Sequence, residues 1–347
     1  PGRVRRAAAR CMTERRPGRA CPVGYRYGAQ ALAAPATLQV DTLWVAGGLY
    51  GNVFALERLL ELYRREPGRK ALVFNGDFHW FDVDPADFLR VNRSVLEYRA
   101  TRGNVETELA SPAEGAGCGC DYPDWIGDED VARSNRIIER LRTTARRVPG
   151  ATGALAALAA LPMHLVGQVG GERVGIVHGD ADSLAGWGFS QEALADTRGM
   201  QAACDACARA GVRVFASSHS CLPVLQLLDA ERAVVNNGAA GMPNFAGTRF
   251  GLATRISVER GAEALYGARV GGLWVAAVAP EYDSAAWECS FLAHWPPGSD
   301  AHRSYFTRIV RGPRYSPDAA LRMPFPTDNS QSKQYLALRP FPPGERT

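Results

Sequence analysis

Apolar residues in the first hundred positions alternate between short unbroken runs and helically spaced stretches. The run TLWVA at 42–46 predicts a buried strand, and ALVF at 71–74 predicts a second one. Between them, apolar residues recur at helical spacing over 53–63, and a Pro-Gly pair at 67–68 ends that predicted helix. A further helix is predicted over 86–99. This order is typical of a sheet covered by helices, in which ligands bind on loops beyond the carboxyl ends of strands.

The second half of the chain predicts mostly short strands joined by turns. HLVGQV and RVGIVHGD flank a Gly-Gly turn, and VLQLL and RAVVNNG flank a second turn, so each pair predicts a hairpin. Further helices are predicted at 129–146, 153–161 and near 191–210, and further strands at 213–217 and near 252–258 and 273–278. Residues 110–127 form a loop rich in Gly, Pro and Cys, and 312–347 are Pro-rich.

No internal repeat or clear linker divides the 347 residues. We expect an N-terminal arm at 1–40 that carries Cys21, a main domain at 41–285, and a C-terminal extension at 286–347 that is Pro-rich and either wraps the surface or stays mobile. The segment that begins at Met12 has the character of a natural start. The residues before Met12 are therefore expected to be disordered or to lie upstream of the true initiator.

Composition and charge narrow the class of protein. The chain is 46% hydrophobic and 22% charged, which is typical of a soluble globular protein. Its net charge of +4 is small, and no basic run with interleaved aromatics lies outside the N-terminus, which argues against a nucleic-acid partner. No apolar run reaches the roughly 18 residues of a membrane span. Eight cysteines without an export signal favour reduced thiols in the cytoplasm, and a homo-oligomer is left open.

Six loops that follow strand-like runs or close helices carry the candidate chemistry. In chain order they are GGLYGN (47–52), NGDF (75–78), RGNVE (102–106), IVHGD (176–180), SSHSC (217–221) and VVNNGAAGMPN (234–244). Their order and spacing resembles the calcineurin-like metallophosphoesterase family. The resemblance implies an α/β fold, a four-layer α/β/β/α sandwich of two mixed sheets. It also implies a hydrolase that directs a metal-bound hydroxide at a phosphate ester of a small phosphorylated substrate.

Members of the family hold two cations with carboxylate, imidazole and amide donors. The resemblance implies that the donors of one metal are intact here: Asp77, Asn104, His178 and His219. Such donors suit a divalent or trivalent metal, namely Fe, Mn or Zn. Taken singly, each of these residues has an ordinary alternative role as a turn former, a helix cap or a hydrogen-bonded core histidine.

The donors of the other metal are depleted. Gly48, Tyr50 and Cys221 stand where the family pattern has an Asp and two His, and Val105 replaces the His that steadies the transition state or protonates the leaving group. Two outcomes are left open. Either the protein holds one metal, or a second site is rebuilt around Tyr50, Cys221 and His79. His79 is also the candidate to replace the lost catalytic acid. Tyr50 and Cys221 are otherwise explained as packing residues.

The cysteines raise a separate possibility. Cys21, Cys118, Cys120 and either Cys11 or Cys221 are candidates for a second metal or an iron–sulfur site, although the Cys-x-Cys spacing is not diagnostic. An iron- and cysteine-dependent redox enzyme on this scaffold is accordingly one alternative function. A catalytically inactive binding protein is the other.

Two further polar residues are candidates for the lining of a substrate pocket. Asp180 belongs to the loop that contains His178, and Asn237 belongs to the glycine-rich turn that closes the site in the family. Asp180 is equally explained as the cap of a following helix.

Overall fold

Two mixed β-sheets form the centre of the chain in the computed structural model, which describes residues 16–113 and 115–323. In spatial order, the strands of one sheet are β1 (Leu38–Val40), β5 (His164–Val169), β6 (Glu172–Val177), β7 (Val214–Ser217), β9 (Ala233–Asn237), β8 (Pro223–Leu227) and β13 (Leu321–Arg322). Those of the other are β11 (Ala264–Val270), β12 (Leu273–Val278), β10 (Ala253–Ser257), β2 (Thr42–Ala46), β3 (Lys70–Asn75) and β4 (Arg99–Thr101). Both sheets are mixed, since β2 is parallel to β3 but antiparallel to β10, and β6 is parallel to β7 but antiparallel to β5.

Eight α-helices accompany these sheets over the described ranges. They are α1 (Val53–Arg65), α2 (Pro85–Leu96), α3 (Asn104–Ala110), α4 (Asp128–Ala145), α5 (Ala151–Ala159), α6 (Thr197–Ala210), α7 (Ser284–His294) and α8 (Asp300–Arg311). Buried residues of α6 pack on the seven-stranded sheet, and buried residues of the longer helices α1, α2, α4, α7 and α8 pack on the six-stranded sheet. The predicted four-layer α/β/β/α sandwich is confirmed.

The alternation along β2 shows how the sequence builds these layers. Leu43 and Val45 lie in the apolar layer between the two sheets, whereas Trp44 and Ala46 pack against the helices. Successive side chains of a strand point to opposite faces, so an unbroken apolar run is what a strand buried on both faces requires. The expected strand over 42–46 is therefore confirmed.

Three of the helices were not predicted from the sequence. The short helix α3 begins at Asn104, and helices α7 and α8 occupy much of the expected C-terminal extension, where Phe291 and Ile309 are buried in the helical layer. Residues 1–15 and 324–347, which include Cys11 and Met12, lie outside the described residues. No helix within the described ranges is long and apolar enough to span a membrane.

Candidate metal centre

Three buried side chains meet where strands of the two sheets end. Asp77 follows β3, His178 follows β6 and His219 follows β7. One ligand atom of each side chain lies within 4.8 Å of the others. Among the described residues, this is the one group of three or more His, Cys, Asp or Glu side chains spaced closely enough to hold a metal ion. Asn104, at the start of α3, adds an amide oxygen 3.1 Å from Nε2 of His178. The fold thus brings together the four residues predicted as the intact ligand set.

Both imidazoles are oriented by backbone carbonyls. Nδ1 of His178 lies 3.0 Å from the carbonyl oxygen of Asn75, and Nε2 of His219 lies 3.0 Å from that of Cys120. A carbonyl only accepts, so these nitrogens carry the protons. A neutral ring then keeps its lone pair on Nε2 in His178 and on Nδ1 in His219. Those two nitrogens are 3.1 Å apart, and Nε2 of His178 is 3.3 Å from Oδ2 of Asp77. Lone pairs this close repel each other unless a proton or a cation lies between them.

The charges of the three residues favour cation binding. Burial, together with the neighbouring His178, lowers the pKa of His219 to about 4, so its Nδ1 lone pair is free at neutral pH. Burial opposes ionisation of Asp77, but the adjacent His178 outweighs it and lowers the pKa of the carboxyl. Burial likewise disfavours the charged imidazole of His178, yet the Asp77 carboxylate raises the pKa of His178. Asp77 thus favours a positive charge at this position, carried either by a proton on His178 or by a bound cation.

The backbone of the loop between α3 and α4 orients two of the four donors. The amide nitrogen of Asn104 donates to the carbonyl of Cys118 at 3.0 Å and contacts Sγ of Cys120 at 3.4 Å, which leaves the amide oxygen facing His178. The carbonyl of Cys120 is the acceptor for His219. Cys118 and Cys120 thus act on the centre mainly through their carbonyl groups.

A buried carboxylate outside the predicted ligand set, that of Glu106, holds the Asp77 loop. Asp77 has a φ of 51°, in the left-handed region. Glu106 accepts the backbone N–H of Asp77 and of Gly103 at 2.8 Å, of Phe78 at 3.0 Å and of His79 at 3.3 Å. The signal was present in RGNVE, because a Glu at the third position of a helix is half of a capping box.

Tyr50 and Cys221, the predicted replacements in the depleted ligand set, contact each other. The Tyr50 hydroxyl lies 2.7 Å from Sγ of Cys221, and burial raises the pKa of both groups. Gly48 has a φ of 66°, and a Cβ at that position would come within 2.9 Å of the Tyr50 ring. The ring therefore occupies the space beside Gly48, where the family has a carboxylate. Both residues line the same cavity as Asp77, but the Cys221 thiol does not belong to the Asp–His–His group.

His79, the predicted catalytic acid, points into a buried polar network. Its Nδ1 lies 2.6 Å from Oδ2 of Asp82, its Nε2 lies 3.4 Å from Oδ1 of Asn92, and its ring stacks on Phe88 with centroids 4.1 Å apart. It is absent from the lining of the cavity beside Asp77. This position does not support the predicted role of proton donor.

The structure does not bring the remaining candidates into one metal group. Cys21 lies 3.3 Å from the Ser183 hydroxyl, and the group of potential ligands found in the described ranges contains neither Cys21 nor Cys118 nor Cys120. Cys11 is outside those ranges. The second metal or iron–sulfur site thus receives no support from the arrangement of the described cysteines.

The two predicted substrate-lining residues organise loops. Oxygens of Asp180 accept the backbone N–H groups of Ser183 and Gly188, each at 3.0 Å. The Asn237 amide bonds both the N–H and the carbonyl of Gly47, at 3.2 and 3.0 Å. Neither Asp180 nor Asn237 lines the cavity beside Asp77, and Asn237 instead ties the loop after β2 to the end of β9.

The cavity beside the centre is small and largely aromatic. It has a volume of about 40 Å³. Asp77, Asn104 and His219 line one part of it, and its aromatic side chains include Trp80, Tyr122, Trp187 and Tyr305. A larger cleft of about 610 Å³, beside Trp44 and Arg255, contains none of the candidate ligands. The predicted metal ligands therefore lie at the small cavity and not at the large cleft.

Comparison with known proteins shows a similar fold in solved structures. No protein family model and no curated protein matches the sequence. Hypothetical protein PH1004 from Pyrococcus horikoshii OT3 superimposes with a TM-score of 0.51 at 16% identity, over 79% of this chain and 99% of that chain. A metallophosphoesterase from Sphaerobacter thermophilus matches with a TM-score of 0.49 at 15% identity, over 78% of this chain and 100% of that chain. At these identities the likeness concerns the fold alone. The chain therefore shares the fold of the Pyrococcus horikoshii protein, and its two packed mixed sheets are the fold that the resemblance to the calcineurin-like metallophosphoesterases implied.

Proposed function

We propose that this protein is a metal-dependent phosphoesterase whose centre holds one cation. The ligands would be Asp77, Asn104, His178 and His219. The observation that carries the proposal is the meeting of their acceptor atoms, with Nε2 of His178 only 3.1 Å from Nδ1 of His219. A bound divalent or trivalent cation would supply Lewis-acid polarisation of a phosphoryl oxygen.

The donor set fits a first-row metal. Two imidazoles, a carboxylate and an amide oxygen suit Fe, Mn or Zn. The hydrogen bonds from the far nitrogens to the carbonyls of Asn75 and Cys120 fix the rings in the tautomer that a ligand needs. Asp77 would contribute the negative charge of the set.

A single cation is favoured by the residues that stand in the depleted set. Gly48 offers no side chain, and the hydroxyl of Tyr50 and the thiol of Cys221 satisfy each other at 2.7 Å. Burial raises the pKa of both groups, so the metal-free protein gains no negative charge from this pair. The pair therefore supports a centre built for one metal.

The cavity lining would set the environment of the reaction. The volume of about 40 Å³ admits only small groups, so the remainder of an ester would lie outside the cavity. Aromatic side chains such as Trp187 and Tyr305 lower the local polarity and strengthen electrostatic interactions inside it. The chain would thus bind the phosphoryl group, exclude bulk water and leave specificity to the cavity mouth.

Metal analysis with matched variants tests the proposal. Protein purified without chelator is expected to hold about one cation per chain, and Asp77→Asn and His219→Ala are expected to lose it. Asp180→Asn and His164→Ala change the same residue types outside the centre and should keep the metal. A screen of phosphomonoesters and phosphodiesters then measures activity.

Two results would overturn the proposal. Near-zero metal in the wild-type protein would favour a catalytically inactive binding protein. Hydrolysis that survives both Asp77→Asn and His219→Ala would show that the centre is not responsible for it.

A further inference from the structure

The side of the cavity that contacts solvent is mostly aromatic. Nearly all the residues that line the cavity beside Asp77 are either buried or belong to a group of four that keep partial exposure. The four are Tyr122, Trp187, Cys221 and Tyr305. Residues that line a cavity and also contact solvent mark its mouth. A group that extends out of this cavity therefore passes aromatic side chains.

Trp187 lies at the inner end of this mouth, next to a predicted metal ligand. Its ring centroid is 5.3 Å from that of His219, and the two ring planes are inclined at 73°. Its Nε1 donates to the carbonyl of Cys120 at 3.0 Å, the same oxygen that Nε2 of His219 contacts at 3.0 Å. The indole is thus fixed against the centre. An organic group attached to a phosphoryl group at the metal would have this ring beside it.

Trp125 continues the aromatic surface away from the cavity. Its ring centroid is 6.4 Å from that of Trp187, and the two planes are nearly perpendicular, at 88°. Trp125 is 63% exposed, and among the described residues it is the one Phe, Tyr or Trp in the exposed class. An exposed indole leaves a large apolar surface in water, which is unfavourable. That this indole adjoins Trp187, which lines the cavity, points to a ligand that covers both rings.

The loop that carries Trp125 is held in place by Arg19. Nη1 of Arg19 donates to the carbonyl of Pro123 at 2.7 Å, and Nη2 donates to the carbonyl of Ile126 and to Asp128. These two carbonyls flank Trp125 in the chain, so the backbone is fixed on either side of the exposed ring. A ligand that packs on a ring held in this way orders little additional structure when it binds.

We propose that Trp125 and Trp187 bind a planar aromatic group attached to the phosphate, so that the substrates are aromatic phosphate esters. This inference rests on the proposed function, since it names the substrate class of the same site. The cavity of about 40 Å³ admits the phosphoryl group and leaves the rest of the ester at the mouth. A planar group stacked on one of two perpendicular rings meets the other edge-on, and aromatic pairs favour both arrangements.

The test measures binding of three phosphonates to Mn²⁺-loaded protein by calorimetry. Methylphosphonate carries only the anionic group, phenylphosphonate adds a planar aromatic ring, and cyclohexylphosphonate adds an aliphatic ring of similar size. Their carbon–phosphorus bonds replace the ester bond, so affinity is measured separately from hydrolysis. Wild type should bind phenylphosphonate more tightly than the other two. Trp125→Ala should raise the Kd for phenylphosphonate about 3- to 10-fold and leave that for methylphosphonate unchanged.

Two further variants serve as controls. Trp125→Phe keeps an aromatic ring and should retain most of the affinity for phenylphosphonate. Trp274→Ala removes a half-buried indole of β12 that lies beside Arg260 and does not line the cavity, so all three Kd values should stay unchanged. Because the Trp125 side chain is mostly exposed, Trp125→Ala should fold like wild type, which its thermal denaturation checks.

The outcomes separate this inference from the proposed function. If metal-loaded wild type binds methylphosphonate but binds phenylphosphonate no more tightly than cyclohexylphosphonate, the aromatic site is wrong and the proposed function stands. Unchanged phenylphosphonate affinity in Trp125→Ala leads to the same conclusion. An equal loss of affinity for methylphosphonate and phenylphosphonate would also refute the inference, since Trp125 would then act on the centre itself. If wild type holds no metal and binds none of the three, both proposals fall.

Discussion

Glu106 offers the sharpest test of how the centre is assembled. Its two oxygens each accept two backbone N–H groups, from Asp77 and Gly103 on one side and from Phe78 and His79 on the other. Glu106→Gln replaces one oxygen by an NH₂ group that faces two N–H donors. Hydrogen bonds to a charged acceptor contribute about 1.5–3 kcal/mol each, so the loss of two lowers the free energy of unfolding by roughly 3–6 kcal/mol. This is a large part of the usual 5–15 kcal/mol.

The same change should loosen the metal ligand. Asp77 has a φ of 51°, which is unfavourable for a residue other than glycine. The hydrogen bonds from the loop to Glu106 stabilise this conformation. We expect Glu106→Gln to weaken metal binding at least tenfold, measured by metal titration alongside urea denaturation. Glu108→Gln is the matched control, since Glu108 is a fully buried acid on the same helix that accepts a hydrogen bond from the Tyr25 hydroxyl instead. It should lose stability and keep its metal.

One result would refute this reasoning. Burial and the nearby Asp77 charge raise the pKa of Glu106, and a protonated Glu106 would closely resemble Gln. If Glu106→Gln unfolds within about 1 kcal/mol of wild type and binds metal equally well, then Glu106 is neutral in the native protein. It would then not be the four-fold acceptor described above.

Three further predictions concern the ligand His219 and the residues of the depleted ligand set. The pKa of His219 is lowered from 6.5 to about 4, so metal-free protein should lose roughly 3 kcal/mol of stability as the pH falls from 6.5 to 4. In denaturation measured across this pH range, the His219→Asn variant should not show this loss. The same pH dependence of the free energy of unfolding in wild type and variant would contradict the prediction. Tyr50→Phe should leave the metal content unchanged, because its hydroxyl serves only Cys221; a fall would make Tyr50 a ligand. Gly48→Asp combined with Tyr50→His and Cys221→His should raise the metal content, whereas Gly48→Asp alone should destabilise the protein by clashing with the Tyr50 ring.

Much of the scaffold could be predicted from local pattern. The apolar run of β2 and the helical spacing of α1 each report which faces are buried, and that information is contained in neighbouring residues. The placement of His178 and His219 directly after apolar strands likewise indicated that they lie at strand ends. Their meeting with Asp77 was implied by the resemblance of the six loops to a known family, and it agrees with the rule that ligands bind on loops at the carboxyl ends of strands.

The partner of each polar group was decided by tertiary contacts. Glu106 reaches the backbone of Asp77 from 29 positions along the chain, and His219 finds its carbonyl acceptor at Cys120, 99 positions away. His79 was predicted as the catalytic acid because it lies two residues after Asp77, but its side chain points to Asp82 in the core, whereas Trp80 lines the cavity. Periodicity reports burial, whereas the direction of a hydrogen bond depends on which distant segment supplies the acceptor, and only the packed fold specifies that.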